Sequence, residues 1–234
     1  MSTFPHPQFK FLAGLTKHND RDWFAKHKEA YQVAYAEWKE VALEITTQVA
    51  TWKPDVFPQP DYYKVFRIYR DVRFSKNKLP YKTHFSTEIT PEGRETGWVG
   101  YYLQIMPGGG SFLGAACFPP QSQDLFALRL YISRNYKRLQ KILDASRFSL
   151  TDPMGKLKTI PRGFAKDDPA RELLAYKAWA LVHRLSDKEV AKPNYPKLVS
   201  TYLQEITPWV EFFQAAKQEI IENRTAYTPD WVNR

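Results

Sequence analysis

The stretch Trp98–Phe118, WVGYYLQIMPGGGSFLGAACF, decides the fold that this sequence predicts. Two apolar, aromatic-rich runs, Trp98–Met106 and Ser111–Phe118, are separated by the turn-forming segment Pro107–Gly110. A glycine-rich break between two strand-like runs is typical of a β-hairpin. Because neither a Lys-Ser/Thr pair nor a helical pattern follows the three glycines, a turn explains them better than a phosphate-binding loop does.

Two further strand-like segments precede the hairpin. Tyr62–Val72 alternates between apolar and polar residues, and Tyr81–Thr90 is a possible strand after the turn or loop Ser75–Pro80. Sequential strands with short connections favour an antiparallel meander over a parallel sheet. We therefore predict an α+β fold: a central antiparallel sheet from the middle third, packed by a long N-terminal helix and by C-terminal helices.

The remaining segments carry mostly helical patterns. The long N-terminal helix is predicted over Arg21–Trp52, with Asn19 or Asp20 as its N-cap, after an apolar lead-in. A second helix is predicted from Gln121 to Leu143, and a final helical region runs from Pro193 to about Asn223. Two short strands are also predicted, around Leu157–Ile160 and over Ala178–Leu185. No convincing linker divides the chain, so a single domain over residues 1–234 is expected.

Composition limits the class of protein. Hydrophobic residues make up 43% of the 234 residues, enough to build a substantial core, so intrinsic disorder is excluded. The single cysteine, Cys117, rules out an internal disulfide framework and fits a reducing compartment. We find neither a signal peptide nor an apolar run of membrane-spanning length. A cytoplasmic protein without a membrane partner is the expectation.

Positive charge is concentrated in one stretch, Lys64–His84. It contains seven basic side chains and one acidic side chain, an excess of +6, whereas the whole chain carries +9. A local basic cluster raises the odds of a polyanionic partner, either a phosphorylated small molecule or nucleic acid. Aromatic residues lie between the cations, which permits base stacking and equally suits ordinary sheet packing.

Strand alternation would arrange this stretch into a site. If Val65–Arg73 is a strand, Arg67, Tyr69, Asp71 and Arg73 project from one face, with Asp71 orienting the two guanidinium groups. The row could bind an anion, or it could be an ion network that only braces the sheet. The candidate ligand-binding residues are Arg67, Arg70, Arg73, Ser75, Lys76, Lys78, Lys82 and, from another loop, Arg162.

Two alternatives to anion binding stay open. One is an enzyme acting on a phosphorylated or carboxylated small molecule, with Asp71 or His84 as general acid or base and Tyr69 or Tyr81 assisting. The other is a protein-interaction module in which the motif is structural. The histidines show no metal-ligand spacing and no nucleophile elbow occurs, so neither a metal site nor a cofactor is predicted.

Three segments together resemble one family. They are FKFLAGLTKHNDRDWFAKHKEAY (Phe9–Tyr31), RIYRDVRFSKNKLPYKTHF (Arg67–Phe85) and the short element Pro161–Phe164. They are similar to the conserved hypothetical family known as domain of unknown function 2461, and the resemblance extends over nearly the whole chain. It implies kinship but no activity, because the family has none assigned.

Two positions depart from the pattern of that family. Asn77 stands where an Asp is usual, and Leu79 stands where a small hydroxyl residue is common. If the family carboxylate bound a metal or acted as a base, Asn77 would weaken that role here.

Overall fold

The computed structural model describes residues 7–94, 97–119 and 121–228 and shows an α+β fold, as predicted. The α-helices in these residues are α1 Pro7–Lys17, α2 Arg21–Lys26, α3 Lys28–Ala50, α4 Ser122–Arg134, α5 Tyr136–Ala145, α6 Arg171–Leu174, α7 Asp187–Val190 and α8 Tyr195–Glu222. The strands are β1 Tyr63–Val65, β2 Phe85–Ile89, β3 Val99–Ile105, β4 Ser111–Cys117, β5 Ser149–Thr151 and β6 Trp179–Leu185.

The six strands form one antiparallel sheet in the order β1-β2-β3-β4-β6-β5. The first four are neighbours in chain order, which confirms the predicted meander and its hairpin. In the pairing of β1 with β2, Tyr63 lies opposite Ile89 and Val65 lies opposite Thr87. The predicted strand over Ala178–Leu185 is also confirmed, as β6.

Two strand predictions were wrong. The strand predicted over Tyr62–Val72 ends at Val65. Beyond it the antiparallel pairing is interrupted: the Phe66 N–H donates to the Ser86 carbonyl at 3.0 Å, and Tyr69 forms only an isolated bridge with Tyr81. No strand forms over Leu157–Ile160, a segment that lies within the described residues. The strand of this region is instead β5, where Ser149 lies opposite Val182 of β6.

The long helix predicted over Arg21–Trp52 is divided into α2 and α3 at His27. The backbone of His27 leaves the helical region with φ −112° and ψ 20°, and its ring stacks on Trp23 with 3.9 Å between ring centroids. Asp20 is the predicted N-cap, since its carboxylate accepts a hydrogen bond from the Trp23 N–H at 2.8 Å.

A similar break at Asn135 divides the second predicted helix into α4 and α5. The Asn135 side chain donates to the Tyr131 carbonyl at 3.0 Å, an example of a short amide that competes with the helix backbone.

By compactness the chain divides into two units. Unit 1 draws its described residues from Met1–Glu95, Tyr102–Leu113 and Arg184–Gln204, and unit 2 from Thr96–Tyr101, Gly114–His183 and Glu205–Arg234. Strands β3 and β4 therefore contribute residues to both units. The expectation of a single domain remains a prediction.

In unit 1 the core forms where α1 and α3 cover one face of β2. The Phe85 ring of β2 is fully buried and lies 6.2 Å from Phe11 of α1 and 6.4 Å from Trp38 of α3, measured between ring centroids. Because side chains alternate along a strand, the neighbours of Phe85 in β2 project from the opposite face of the sheet.

In unit 2 the core is built from aromatic residues of β6 and α8. Trp179 of β6 lies 6.0 Å from Phe213, and Trp209 lies 4.5 Å from the same ring. All three residues are buried. Pro208 lies within α8 without ending it. In the part of the chain that the structure describes, no helix is both long and apolar enough to cross a lipid bilayer.

The glycine-rich turn between β3 and β4 binds an internal carboxylate. Gly108 and Gly109 have φ angles of +81° and +78°, a region that favours glycine. Their N–H groups donate to the Asp187 carboxylate at 2.8 and 3.0 Å. The segment is thus a turn, as predicted. Its Gly108 and Gly109 N–H groups are bound by the Asp187 side chain of unit 1.

Candidate functional site

The basic loop, Arg70–Pro80, includes the end of the predicted strand Tyr62–Val72 and the whole of the turn or loop predicted over Ser75–Pro80. Although β1 ends at Val65, burial still alternates along the residues that follow. Ile68 is buried and Arg70 and Val72 are partly buried, whereas the residues between them are exposed. The Arg70 N–H donates to the Pro80 carbonyl at 2.9 Å and closes the loop at its base. The four residues of the proposed single-face row are all exposed, and their role as a site stays a prediction; they are Arg67, Tyr69, Asp71 and Arg73.

Two of the predicted ligand-binding cations hold the basic loop together. Arg70 donates to the Leu79 carbonyl at 3.0 Å and to the Ser75 hydroxyl at 3.3 Å. Lys78 donates to the Val72 carbonyl at 3.0 Å. Since backbone carbonyls need hydrogen-bond partners, these side chains satisfy two carbonyls of the loop.

Asn77 also has a structural part in the basic loop. Its side-chain oxygen accepts a hydrogen bond from the Leu79 N–H at 3.0 Å. An Asp side chain can accept the same bond, because Asn and Asp both form such turns. An Asp at position 77, which the family resemblance implies is usual, would therefore keep this contact.

Asp71 and Arg73 form a closed ion pair on the protein surface. The Arg73 guanidinium donates to both carboxylate oxygens, at 3.0 and 2.7 Å, and the Arg73 backbone N–H donates at 3.2 Å. These bonds, with the nearby charge of Arg67, lower the pKa of Asp71 below its usual value. The side chains are 77% exposed for Arg73 and 48% for Asp71, so the pair is not a buried brace.

Two exposed cations near the loop differ from Arg70, Arg73 and Lys78 in making no hydrogen bond within the described part of the chain. Arg67 and Lys76 are exposed and donate no hydrogen bond to any described residue. Phe74 lies between Arg73 and Lys76 in sequence and is 96% exposed. The basic loop thus combines cations that donate to its own backbone with an exposed cation that donates to no described residue.

Tyr69 and Tyr81, the candidate assisting groups, belong to an aromatic cluster with α2. They form an isolated antiparallel bridge, and the Tyr81 ring stacks on Phe24 with 4.1 Å between centroids. Asn19 accepts from the Tyr81 N–H at 3.1 Å and donates to the Tyr81 carbonyl at 3.0 Å. Burial raises the pKa of Tyr81. Asn19 thereby joins the two longer family-like segments of the chain.

A second group of side chains shares the sheet face opposite Phe85. We call it the polar sheet face, and its members are Lys64, Phe66, Lys82, His84, Ser86, Glu88, Tyr102, Gln104 and Phe112. Lys64 lies directly opposite Glu88 in the β1–β2 register. The Phe66 ring lies 6.2 Å from Tyr102, which in turn lies 5.5 Å from Phe112. All of these residues belong to unit 1.

Burial shifts the titration of the ionisable groups on this face. It lowers the pKa of His84 to about 4, with a further contribution from the charge of Lys82. It raises the pKa of Glu88, against the opposing charges of Lys64 and Arg94. The pKa of Lys82 is lowered by burial and by the neighbouring charges of Arg67 and Lys64. Perturbed groups gathered in one place are a feature of functional sites.

Arg162 belongs to unit 2, whereas the other predicted ligand-binding residues belong to unit 1. It precedes Gly163, whose φ of +92° fits the third position of a tight turn closed from Phe164 N–H to Pro161 carbonyl at 3.4 Å. The Phe164 ring lies 5.4 Å from Phe126. This family-like element therefore has a structural explanation in its turn.

Sequence reasoning placed Lys82 and His84 in the site and missed the rest of the polar sheet face. A signal for part of it was present, because Lys82, His84, Ser86 and Glu88 alternate through the predicted strand Tyr81–Thr90. Tyr102 and Gln104 alternate in the same way within β3. The sequence does not show which faces of separate strands coincide, because that depends on register.

These observations define an α+β protein with an internally braced basic loop and a half-buried polar sheet face in one of its units. The chain belongs to the conserved hypothetical protein family DUF2461, whose sequence model matches residues 8–212. The family resemblance inferred from the three segments is thus confirmed. No curated protein and no solved structure matches the chain.

Proposed function

We propose that the protein binds a phosphate-bearing anion through the basic loop and the cations next to it. The observation that carries this proposal is that some cations donate hydrogen bonds to the loop itself, whereas others donate to no described residue. Arg70 and Lys78 hold the loop in shape by donating to its own groups, while Arg67 and Lys76 are exposed and donate no hydrogen bond to any described residue. A braced loop that presents free donors is preorganised for an anion.

The electrostatics of the neighbouring residues support the same function. Lys64, Arg67 and Lys82 are close enough for the first two to lower the pKa of Lys82. Mutual repulsion among three cations costs free energy, which a bound anion would offset. Phosphate is a suitable partner because guanidinium groups bind its oxygens in pairs and ammonium groups bind it as point charges.

The test is a salt titration of anion binding. A fluorescently labelled single-stranded oligonucleotide, which carries many phosphates, is bound to the wild type and to Arg67→Ala/Lys76→Ala at several salt concentrations. For the wild type, log affinity should fall linearly with log salt, by about 0.7 for each phosphate neutralised. The double variant should bind more weakly, with a slope reduced by about one to two.

The matched control is Lys137→Ala/Lys141→Ala, which removes the same charge from exposed positions of α5. It should bind as the wild type does. If the control weakens binding as much as the Arg67/Lys76 variant, only net charge matters and the proposed site is wrong. If the wild type does not bind the oligonucleotide at low salt, the function itself is refuted for polymeric phosphates, and a free nucleotide is then titrated in the same way.

A further inference from the structure

We propose that the polar sheet face binds a nucleobase, so that the ligand of the basic loop is a nucleotide unit with its base on the sheet and its phosphate on the cations. This inference rests on the proposed function, because it identifies the group that the phosphate carries. It is supported by three features of the face: its rings, the polar groups between them and the cations at its edge.

The rings form a row across the sheet. Phe66 follows β1, Tyr102 lies in β3 and Phe112 lies in β4, with ring-centroid distances of 6.2 and 5.5 Å between successive members. All three are partly accessible. They project from the face opposite Phe85, whose ring contacts α1 and α3. Partly exposed aromatic rings on adjacent strands are the arrangement on which single-stranded nucleic acids stack their bases.

Polar groups near the rings can bind the edge of a base. Gln104 is 9% exposed and positions the Tyr102 ring, since it accepts from the Tyr102 hydroxyl at 3.2 Å and donates to the Gly110 carbonyl at 3.1 Å. His84 is half-buried, and its lowered pKa of about 4 keeps the ring neutral at pH 7, with one donor and one acceptor. Glu88 adds carboxylate oxygens. Donors and acceptors beside a ring fit the hydrogen-bonding edge of a base.

Cations connect the rings to the basic loop. The ammonium groups of Lys64 and Lys82 lie 4.9 and 5.2 Å from the centre of the Phe66 ring. Arg67 is close enough to lower the pKa of Lys82, and its charge also lowers the pKa of Asp71 in the basic loop. Because both ammonium groups lie over the ring, a base that stacks on Phe66 takes the place of at least one of them, which is then free to bind the phosphate.

The test compares two labelled probes of equal length and charge: a single-stranded oligonucleotide and a phosphodiester oligomer without bases. The wild type should bind the base-bearing strand about tenfold more tightly or better, since each stacked base contributes to affinity. Phe66→Leu, which keeps an apolar side chain but removes the ring face, should lose most of this preference. Its affinity for the abasic oligomer should not change.

Controls separate the possible failures. Phe57→Leu changes a partly exposed ring outside the polar sheet face and should keep the preference for bases. Equal affinity of the wild type for both probes overturns the inference but leaves the proposed function intact. Absence of binding to both probes and to a free nucleotide overturns both. The comparison of the two probes needs only the wild type, so it tests the inference even if Phe66→Leu fails to fold.

A competition experiment distinguishes the two sources of a nucleotide unit. A free mononucleotide that displaces the labelled strand at comparable concentration identifies a small-molecule nucleotide as the ligand. Displacement only by longer strands identifies single-stranded nucleic acid, because several phosphates and bases must then be bound together. A mononucleoside lacking phosphate should compete poorly in either case, and strong competition by it would contradict the role of the cations.

Discussion

Tyr195 carries a buried hydroxyl group that has no hydrogen-bond partner in the described structure. The residue is 5% exposed and burial raises the pKa of its hydroxyl. It lines a cavity of about 160 Å³ in unit 1, together with Phe9, Trp38 and Ile105 among others. A buried polar group without a partner costs stability, because it loses its hydrogen bonds to water on folding.

We expect Tyr195→Phe to raise the free energy of unfolding by about 1 kcal/mol, since it removes only the unpaired hydroxyl. Urea denaturation followed by tryptophan fluorescence measures the change. The matched control is Tyr101→Phe in unit 2, which removes a buried hydroxyl that lies 2.9 Å from the Thr207 hydroxyl. It should lower stability by about 1 kcal/mol. A loss of stability in Tyr195→Phe would show that its hydroxyl has a partner, such as a water molecule.

At the scale of elements, the basic loop owes its shape to its own side chains. Lys78 donates to the carbonyls of Val72 and Arg73, at 3.0 and 3.4 Å, while Lys76 is exposed and donates to no described residue. The two lysines are two positions apart and differ mainly in this respect. They provide a matched pair for testing whether the loop is braced.

We expect Lys78→Ala to loosen the basic loop and Lys76→Ala to leave it unchanged. Chymotrypsin cleavage after Phe74, whose side chain is 96% exposed, reports the opening of the loop. Losing bonds that contribute about 1 kcal/mol should raise the cleavage rate about fivefold. Equal cleavage rates for the two variants would show that Lys78 does not brace the loop. Faster cleavage of Lys76→Ala than of Lys78→Ala would show that Lys76, and not Lys78, holds the loop closed.

A comparison of the hairpin with the basic loop shows why the sequence predicted some elements and not others. The hairpin over Trp98–Phe118 could be predicted because apolar strand patterns and a glycine turn agree locally. The strand over Tyr62–Val72 could not be excluded, because its alternating pattern also fits a loop whose backbone is bonded by Arg70 and Lys78. Such side-chain bonds have no periodicity that a sequence pattern reveals.

The candidate site, like the fold, could be predicted only in part. The concentration of charge in Lys64–His84 pointed to the basic loop, which lies in unit 1. It did not separate the bracing cations, Arg70 and Lys78, from those that donate to no described residue, because the difference lies in backbone carbonyl positions. Tyr102 and Phe112 were missed because they are distant in sequence and reach the same face only through sheet pairing.

At the scale of the whole molecule, the free energy of unfolding depends on pH through the protonation of His84 on the polar sheet face. The pKa of His84 falls from 6.5 to about 4 on folding, chiefly because burial disfavours the charged ring. Between these two values the unfolded chain binds more protons at this position than the folded chain does. Stability therefore rises with pH across this window, and the contribution of His84 is lost as the pH falls from about 6.5 towards 4.

We expect the wild type to lose about 1 kcal/mol more than His84→Asn between pH 7 and pH 5, a value reduced from the full linkage because the ring is partly exposed. Urea denaturation of both proteins at the two pH values gives this difference. Glu88 acts in the opposite direction, since burial raises its pKa and the folded state then gains protons more readily on acidification. Because Glu88 is present in both proteins, the comparison isolates His84. Equal losses of stability in the two proteins would show that His84 is solvated in the folded state. A neutral His84 that binds a base beside the rings would then have to be abandoned.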